Sequence, residues 1–540
     1  MKQFKIFVVL LFTLGTVLFS SGCTDWLDVE PKDMVLEDKQ FSTELRTNSV
    51  LNGIYRLMTH NNLYGQNLTQ TYTEYLAHYY NFFRAGGTGL TSLPGDMQLW
   101  REVSLFQHYD RPSDIAERVW NNAYRAIFEI NLFIRNVEER DDVMRESRRN
   151  VLLGEAYALR AFMHFDLFRL FGPIHSSNYA GFDPAAVSIP YNNTAATVPH
   201  QPQTATRFLE LVLTDLATAE KLLENDPIRT TGRNDNFRLN TLNTSLTTEI
   251  IFAEYYRNRK MNYYAVKALQ ARVLLQKMEY DQAANVAEAL LAEIYERRVF
   301  SWTPINTVVS QGNFIFYQEV LFGITNPNLY TSWTDMFGGS FPGRVHVVAQ
   351  PNLLNNIFAE FGGEPIATYL QSDIRAAQWI EVAVQGETGT GGGATFVSRR
   401  LRRPAVQDWA AADTDTPPYY LNFQPLMRKS ELYLIQAEAA IATNQLPKAV
   451  EMIREVMRAR GYQALFLDTI LPMNASVQEI QNVLEREVYR EFVGEGQAFF
   501  YLKRNAKPRI FAGFETGHTQ LGNITNTYVV PTPNSELITN

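Results

Sequence analysis

Thiols are almost absent: one cysteine, Cys23, stands in 540 residues. That count excludes an internal disulfide framework and a multi-cysteine zinc site. Histidine is sparse too. The eight, at 60, 78, 108, 164, 175, 200, 346 and 518, show no H-x-x-x-H or similar spacing, so a metal site or a cysteine-based catalytic site has no support. There is no G-x-S-x-G elbow. The glycine-rich "GETGTGGG" from Gly386 to Gly393 lacks the Gly-Lys-Ser/Thr ending of a phosphate loop and reads as a flexible loop. Positive charge is in deficit, with 49 Lys and Arg against 57 Asp and Glu and a net charge of −8, which argues against a nucleic-acid partner. The one basic cluster, "RRLRRP" from Arg399 to Pro404, reads as a solvated loop. After the first two dozen residues no uncharged apolar run approaches the roughly 20 residues that a bilayer requires.

What is present begins at the N-terminus. Lys2 and Lys5 precede an apolar run from Ile6 to Phe19, followed by Ser20, Ser21 and Gly22. This is the charged, apolar and small-residue order of a secretory signal. Small residues directly before a cysteine resemble a bacterial lipobox, so residues 1–22 are expected to be a lipoprotein signal peptide. Cys23 is then the lipid attachment site. Acyl chains contribute about 0.8 kcal/mol per buried methylene, so several on one residue hold a soluble body firmly at a membrane. Residues 23–540 are expected to form a single α domain behind a lipid-anchored tail.

The body is 46% hydrophobic, enough for a large core. Helical periodicity is clear in three places. In "VWNNAYRAIFEINLFIRNV", Trp120, Ala123, Tyr124, Ile127, Ile130 and Ile134 line one helix face. "GEAYALRAFMHFDLFRLFGPIH" is apolar nearly all round, which predicts a central helix stopped by Gly172 and Pro173. "NVLEREVYREFVGEGQAFFYLKR" predicts a third helix, with Val483, Leu484, Val488, Phe492 and Val493 as its stripe and Glu485, Arg486, Glu487, Arg490 and Glu491 as its charged side, read as a solvated or inter-helix ion network.

Two segments also align without gaps: "ARVLLQKMEYDQAANVAEALL" from Ala271 and "AEAAIATNQLPKAVEMIREVM" from Ala437. Ala271 meets Ala437, Ala283 meets Ala449, and both have a polar turn, at Lys277 to Glu279 and at Thr443 to Gln445. Each reads as a helix-turn-helix pair with small residues where the helices touch. The copies are separated by a Gly-, Pro-, Asn- and aromatic-rich region, so no contiguous solenoid is expected. The predicted fold is mainly α, with tetratricopeptide-like pairs forming one scaffold that carries long loop-rich insertions.

In order along the chain, "CTDWLDVEPKD", "EAYALRAFMHFDLFRLFGPIH", "ALQARVLLQKMEYDQA", "RKSELYLIQAEAAIA", "EREVYREFVGEGQAFFYLKR" and "VVPTPNSELITN" together resemble the SusD/RagB family of outer-membrane nutrient-uptake lipoproteins. The resemblance implies a protein at the exterior of the outer membrane that captures oligosaccharides and delivers them, as a lid, to a SusC-like TonB-dependent transporter barrel. It implies neither a cofactor nor chemistry of its own. Cys23 matches the lipidation position, and Asp25, Leu27 and Asp28 the start that follows it. Arg160, Glu487 and Glu495 match scaffold positions. A peptide-binding, RagB-like member is the alternative within the family. A surface glycoside hydrolase is the alternative outside it, because carboxylate pairs are defined by their separation in space and not in sequence.

A glycan binder needs aromatic faces for sugar C–H surfaces and polar groups for hydroxyls, set on ordered loops. Two loop-like stretches qualify. The first, from Tyr72 to Val103, holds Tyr79, Tyr80, Asn81, Arg84 and Trp100; the second, from Tyr330 to Val348, holds Tyr330 and Trp333. Trp100 and Trp333 are the preferred stacking residues, and about a third of the rings in these stretches are expected to face solvent.

Overall fold

A computed structural model describes residues 37–84, 95–108, 110, 112–196, 200–231, 257–337, 345–349, 351–358, 373–382, 395–398, 419–511 and 518–533. Cys23 and the residues after it to Asp28 lie outside them, as do the glycine-rich and basic loops. Among the described residues no helix is long and apolar enough to cross a membrane.

The scaffold is a run of helices: α1 (Glu44–Met58), α2 (Pro112–Glu139), α3 (Glu146–Phe171), α4 (Ala205–Leu222), α5 (Tyr263–Gln276), α6 (Tyr280–Arg297), α7 (Lys429–Ala442), α8 (Leu446–Ala459), α9 (Val477–Glu491) and α10 (Gln497–Arg504). From α2 to α8 each helix packs on the next, and α9 closes the run against α7 and α8. Local chemistry sets the ends. Thr43 caps α1 through its side chain, and Ser476 and Glu479 form a reciprocal capping box on α9. Among the described residues the main apolar core runs from Phe41 to Val530, with a small second cluster around Val308, Phe314 and Phe316.

The two aligned segments are α5–α6 and α7–α8. Ala271, Ala283, Ala437 and Ala449 are all buried, so backbones approach closely at the equivalent points of both pairs. The turns match as well: Met278 and Asn444 hold equivalent positions, each with positive φ, at 65° and 58°. The pairs stack directly through α6 and α7. The two pairs are thus adjacent in space though not in sequence, as expected of helical pairs that form one scaffold with a long insertion between them.

The predicted helix over "NVLEREVYREFVGEGQAFFYLKR" is two helices. α9 ends at Glu491 and α10 starts at Gln497, with Gly494 and Gly496 between them at φ of 69° and 71°. A side chain at Gly496 would place its Cβ 2.2 Å from the Leu68 carbonyl, so the break needs glycine for both conformation and space.

Inserted among the helices is an antiparallel sheet that the sequence reading does not contain. Its order is Tyr80–Arg84, Val345–Ala349, Thr395–Ser398, Trp379–Val382. Two of its strands come from the stretches read above as loops.

Candidate functional site

The sheet unites the two aromatic stretches. Tyr80 pairs with Ala349, Asn81 with Val348 and Arg84 with Val345, so segments more than 250 residues apart become neighbouring strands. The helix Leu329–Phe337 packs on Val345–Ala349, and Gly95–Ser104 packs on the short helix Tyr72–Leu76 that leads into the first strand.

The candidate residues divide by burial. Trp100, on Gly95–Ser104, is half-buried and lies stacked on Tyr75, with centroids 4.9 Å apart and planes 16° apart. Tyr75 meets Tyr80 edge-on at 5.6 Å. The indole is thus backed by a buried pair of rings, a rigid support for a partly open aromatic. Tyr330 is half-buried at the start of its helix.

Tyr79, Tyr80 and Trp333 are instead core residues, exposed by 0%, 1% and 2%. This corrects the expectation that their rings offer a stacking face: all three belong to the main apolar core, and burial of these large rings is what anchors the stretches. It also lowers the solvent-facing share of rings, since Tyr72 and Tyr75 are buried too. Asn81 and Arg84 have their strand register described, while their side chains lie outside the described residues.

The stretch is tied to the scaffold by specific polar contacts. The Tyr79 hydroxyl donates to the Tyr489 carbonyl (2.7 Å), and burial pushes that phenol's pKa well up. Glu74, fully buried, accepts from the Gly494 and Gly496 amides at 3.0 and 2.9 Å, which joins the helix Tyr72–Leu76 to the α9–α10 turn. His78 has a positive φ of 60°, bonds the Ser104 carbonyl through Nε2 (2.8 Å) and stacks on Phe106; burial lowers its pKa.

The far edge of the sheet is held by the same helix. Arg375 lies in the turn Ile374–Gln378, which runs directly into the strand Trp379–Val382. Its guanidinium donates to Glu487 (2.8 Å), Glu491 (2.9 Å) and Asp373 (2.7 Å). Arg428 bonds Glu491 and Glu495 at 2.5 and 2.9 Å, and Arg460 bonds Glu319 at 2.6 Å and Glu491 at 2.5 Å. All these side chains are essentially unexposed. Burial alone would raise the Glu491 pKa; Arg460, Arg428 and Arg375 outweigh it and hold the group well below the usual carboxylate range.

The charged side of α9 is therefore an interior ion network and not a solvated face. Its carboxylates are consumed by arginines out of contact with solvent, an arrangement that suits positioning and not proton transfer. The two scaffold glutamates implied by the resemblance, Glu487 and Glu495, belong to it. The third such residue, Arg160, makes a two-pronged contact with Asp215 at 2.7 and 2.6 Å, and Asp215 also accepts from Tyr191 (2.5 Å). The sequence signal for the network was the Glu-x-x-x-Glu-x-x-x-Glu spacing at 487, 491 and 495; its partners at 319, 373, 375, 428 and 460 carry no local signal.

The geometry is that of a helical-repeat scaffold carrying a rigidly backed aromatic region, with the α9 carboxylates locked in ion pairs. The comparisons agree. A family model described as "Starch-binding associating with outer membrane" matches residues 25–236, and the SusD family model matches residues 395–536. The chain belongs to the SusD/RagB family. It is 23% identical to SusD-like protein P38 of Formosa agariphila, over 96% of this chain and 95% of that protein. SusD-like protein P2 of the same organism is 29% identical over 35% of this chain, and that match spans about a third of P2. Among solved structures, a SusD superfamily protein from Bacteroides thetaiotaomicron superposes with a TM-score of 0.63 at 19% identity, covering 92% of this chain and 98% of that one. A SusD-like carbohydrate binding protein from Bacteroides vulgatus gives 0.63 at 17% identity, covering 92% and 97%.

Proposed function

We propose that this protein is a lipid-anchored outer-membrane binder of oligosaccharides that passes its ligand to a partner TonB-dependent barrel, acting as a lid. The observation that carries the reading is the Trp100 indole, half-open and backed face-on by Tyr75, beside a sheet edge that bears Asn81 and Arg84. A sugar ring laid on the indole would bury its C–H face there, with its hydroxyls left free for hydrogen bonding. Tyr330 is the second candidate ring. The family description of starch binding at the outer membrane and the carbohydrate-binding relative support the ligand class. The spacing of Ser20, Ser21, Gly22 and Cys23 supports the anchor.

Shallow stacking sites immobilise flexible ligands at an entropic cost, so micromolar-to-millimolar affinity is expected. Calorimetry of the purified protein against oligosaccharides and peptides tests the reading. Heat with at least one glycan and no turnover supports it; heat with peptides only, or release of shortened glycans, contradicts it. Cys23→Ser should move the protein from the membrane fraction to the soluble fraction, and retention at the membrane would contradict the anchor.

A further inference from the structure

A groove of about 1230 Å³ lies between α1, the turn Arg257–Arg259 and the turn that follows the strand Val320–Thr325. It shares no lining residue with the aromatic region. Asn52 and Arg56 come from α1, Arg259 and Lys260 from the second wall, and Asn326 and Asn328 from the third. The chemistry is one-sided. In a chain with an excess of acidic residues, the described lining includes three side-chain cations and no carboxylate. The nearest carboxylate in sequence, Glu44, is taken by Arg148 at 3.2 Å.

The groove is also built. The Lys260 ammonium is fixed by donating to the Asn52 side chain and by standing 3.9 Å above the centre of the buried Tyr55 ring. Tyr55 is itself held, its hydroxyl donating to Glu155 at 2.8 Å and accepting from the Met261 amide at 2.8 Å. On the opposite wall Asn326 is 3% exposed, and its amide nitrogen has no hydrogen-bond partner among the described residues. A buried N–H₂ without an acceptor is costly unless something supplies one.

We propose that this groove is a second ligand site, specific for saccharides that carry an acidic group, a uronate carboxylate or a sulfate ester. Arg56, Arg259 and Lys260 would take the anion, and Asn52, Asn326 and Asn328 the neighbouring hydroxyls. The inference rests on the glycan-binding reading for the sugar part of the ligand and adds the charge. Burial draws the Lys260 pKa down to about 8; Glu155 opposes this, while Arg257 and Arg148 add to it. Its charge fades as pH rises through that value.

Calorimetry on the purified protein with an oligogalacturonate, a sulfated galactan oligomer, a neutral galactan oligomer and inorganic sulfate tests the site. At least one acidic oligomer should bind about tenfold or more tightly than the neutral one, with affinity falling as salt is raised and as pH goes from 7 to 9. Arg56 is exposed, so Arg56→Glu should leave the melting temperature unchanged while weakening the acidic oligomer about tenfold or more. Trp100→Ala should leave that binding largely intact. Whichever acidic oligomer responds to Arg56→Glu identifies the acid. Binding of neutral and acidic oligomers alike, acidic binding indifferent to Arg56→Glu, or inorganic sulfate binding as tightly as the oligomer would overturn the inference and leave the glycan reading standing. Failure of every oligomer would overturn both.

Discussion

The Tyr79 hydroxyl donates to the Tyr489 carbonyl at 2.7 Å, and the Tyr489 hydroxyl donates back to the carbonyl of Ala77 at 3.0 Å. This reciprocal pair fastens one edge of the aromatic sheet to α9. At the other edge Arg375 reaches Glu487 and Glu491 on the same helix. One helix thus fixes both edges, and the ordered site depends on it.

Tyr79→Phe leaves the Tyr489 carbonyl without its buried donor and should destabilise the protein by about 1 kcal/mol. Urea unfolding reads the change. An effect near zero would mean that water replaces the hydroxyl.

Glu487→Gln removes one carboxylate from a buried network and strands part of the Arg375 charge. The expected cost is about 3–5 kcal/mol, with loss of glycan binding in whatever protein remains folded, because the strand after Arg375 is released. Unfolding curves and calorimetry on the soluble fraction check both halves. A stable variant that binds normally would show that the network does not position the sheet.

His164 is fully buried and neutral: its Nδ1 bonds the Arg160 carbonyl at 2.9 Å, and Nε2 accepts from the Asn192 amide at 2.9 Å. Burial lowers its pKa to about 3. The unfolded chain therefore binds this proton at higher pH than the folded one. Its contribution to stability is present above about pH 6.5 and is lost as pH falls from there toward 3, by up to about 5 kcal/mol. Urea midpoints measured from pH 7 to pH 4 should fall, and His164→Gln should flatten that fall.

Trp333→Ala and Trp100→Ala should separate structure from binding. Trp333 is core, so its loss should cost about 3–5 kcal/mol of stability. Trp100 is half-buried, so its removal should cost less, about 1–2 kcal/mol for the area and the Tyr75 contact. Comparable melting temperatures for the two variants would contradict the assignment.

The helices were legible in the sequence because their chemistry is local. Trp120, Ala123, Ile127, Ile130 and Ile134 are buried along one face of α2, and Gly172 ends α3 where the sequence stops it. The pairing of Ala271 with Ala437 likewise survived, down to the left-handed turn residue at 278 and 444. The sheet was not legible, because its strands are four or five residues long and its partners lie up to hundreds of positions apart. Which rings would face outward was equally hidden. Tyr79 and Tyr80 adjoin in sequence and are both buried, so strand alternation does not sort them. The ionic interior was masked by composition: glutamates and arginines at helical spacing look solvated until arginines from three other segments close over them.

The most direct measurement is calorimetric titration of a neutral oligosaccharide that binds wild type into wild type and Trp100→Ala at matched folded fractions. The account predicts that Trp100→Ala weakens binding about tenfold or more, the loss of one stacked ring on a rigid support. Wild-type affinity in a variant that lacks the indole would contradict the aromatic sheet region as the glycan site.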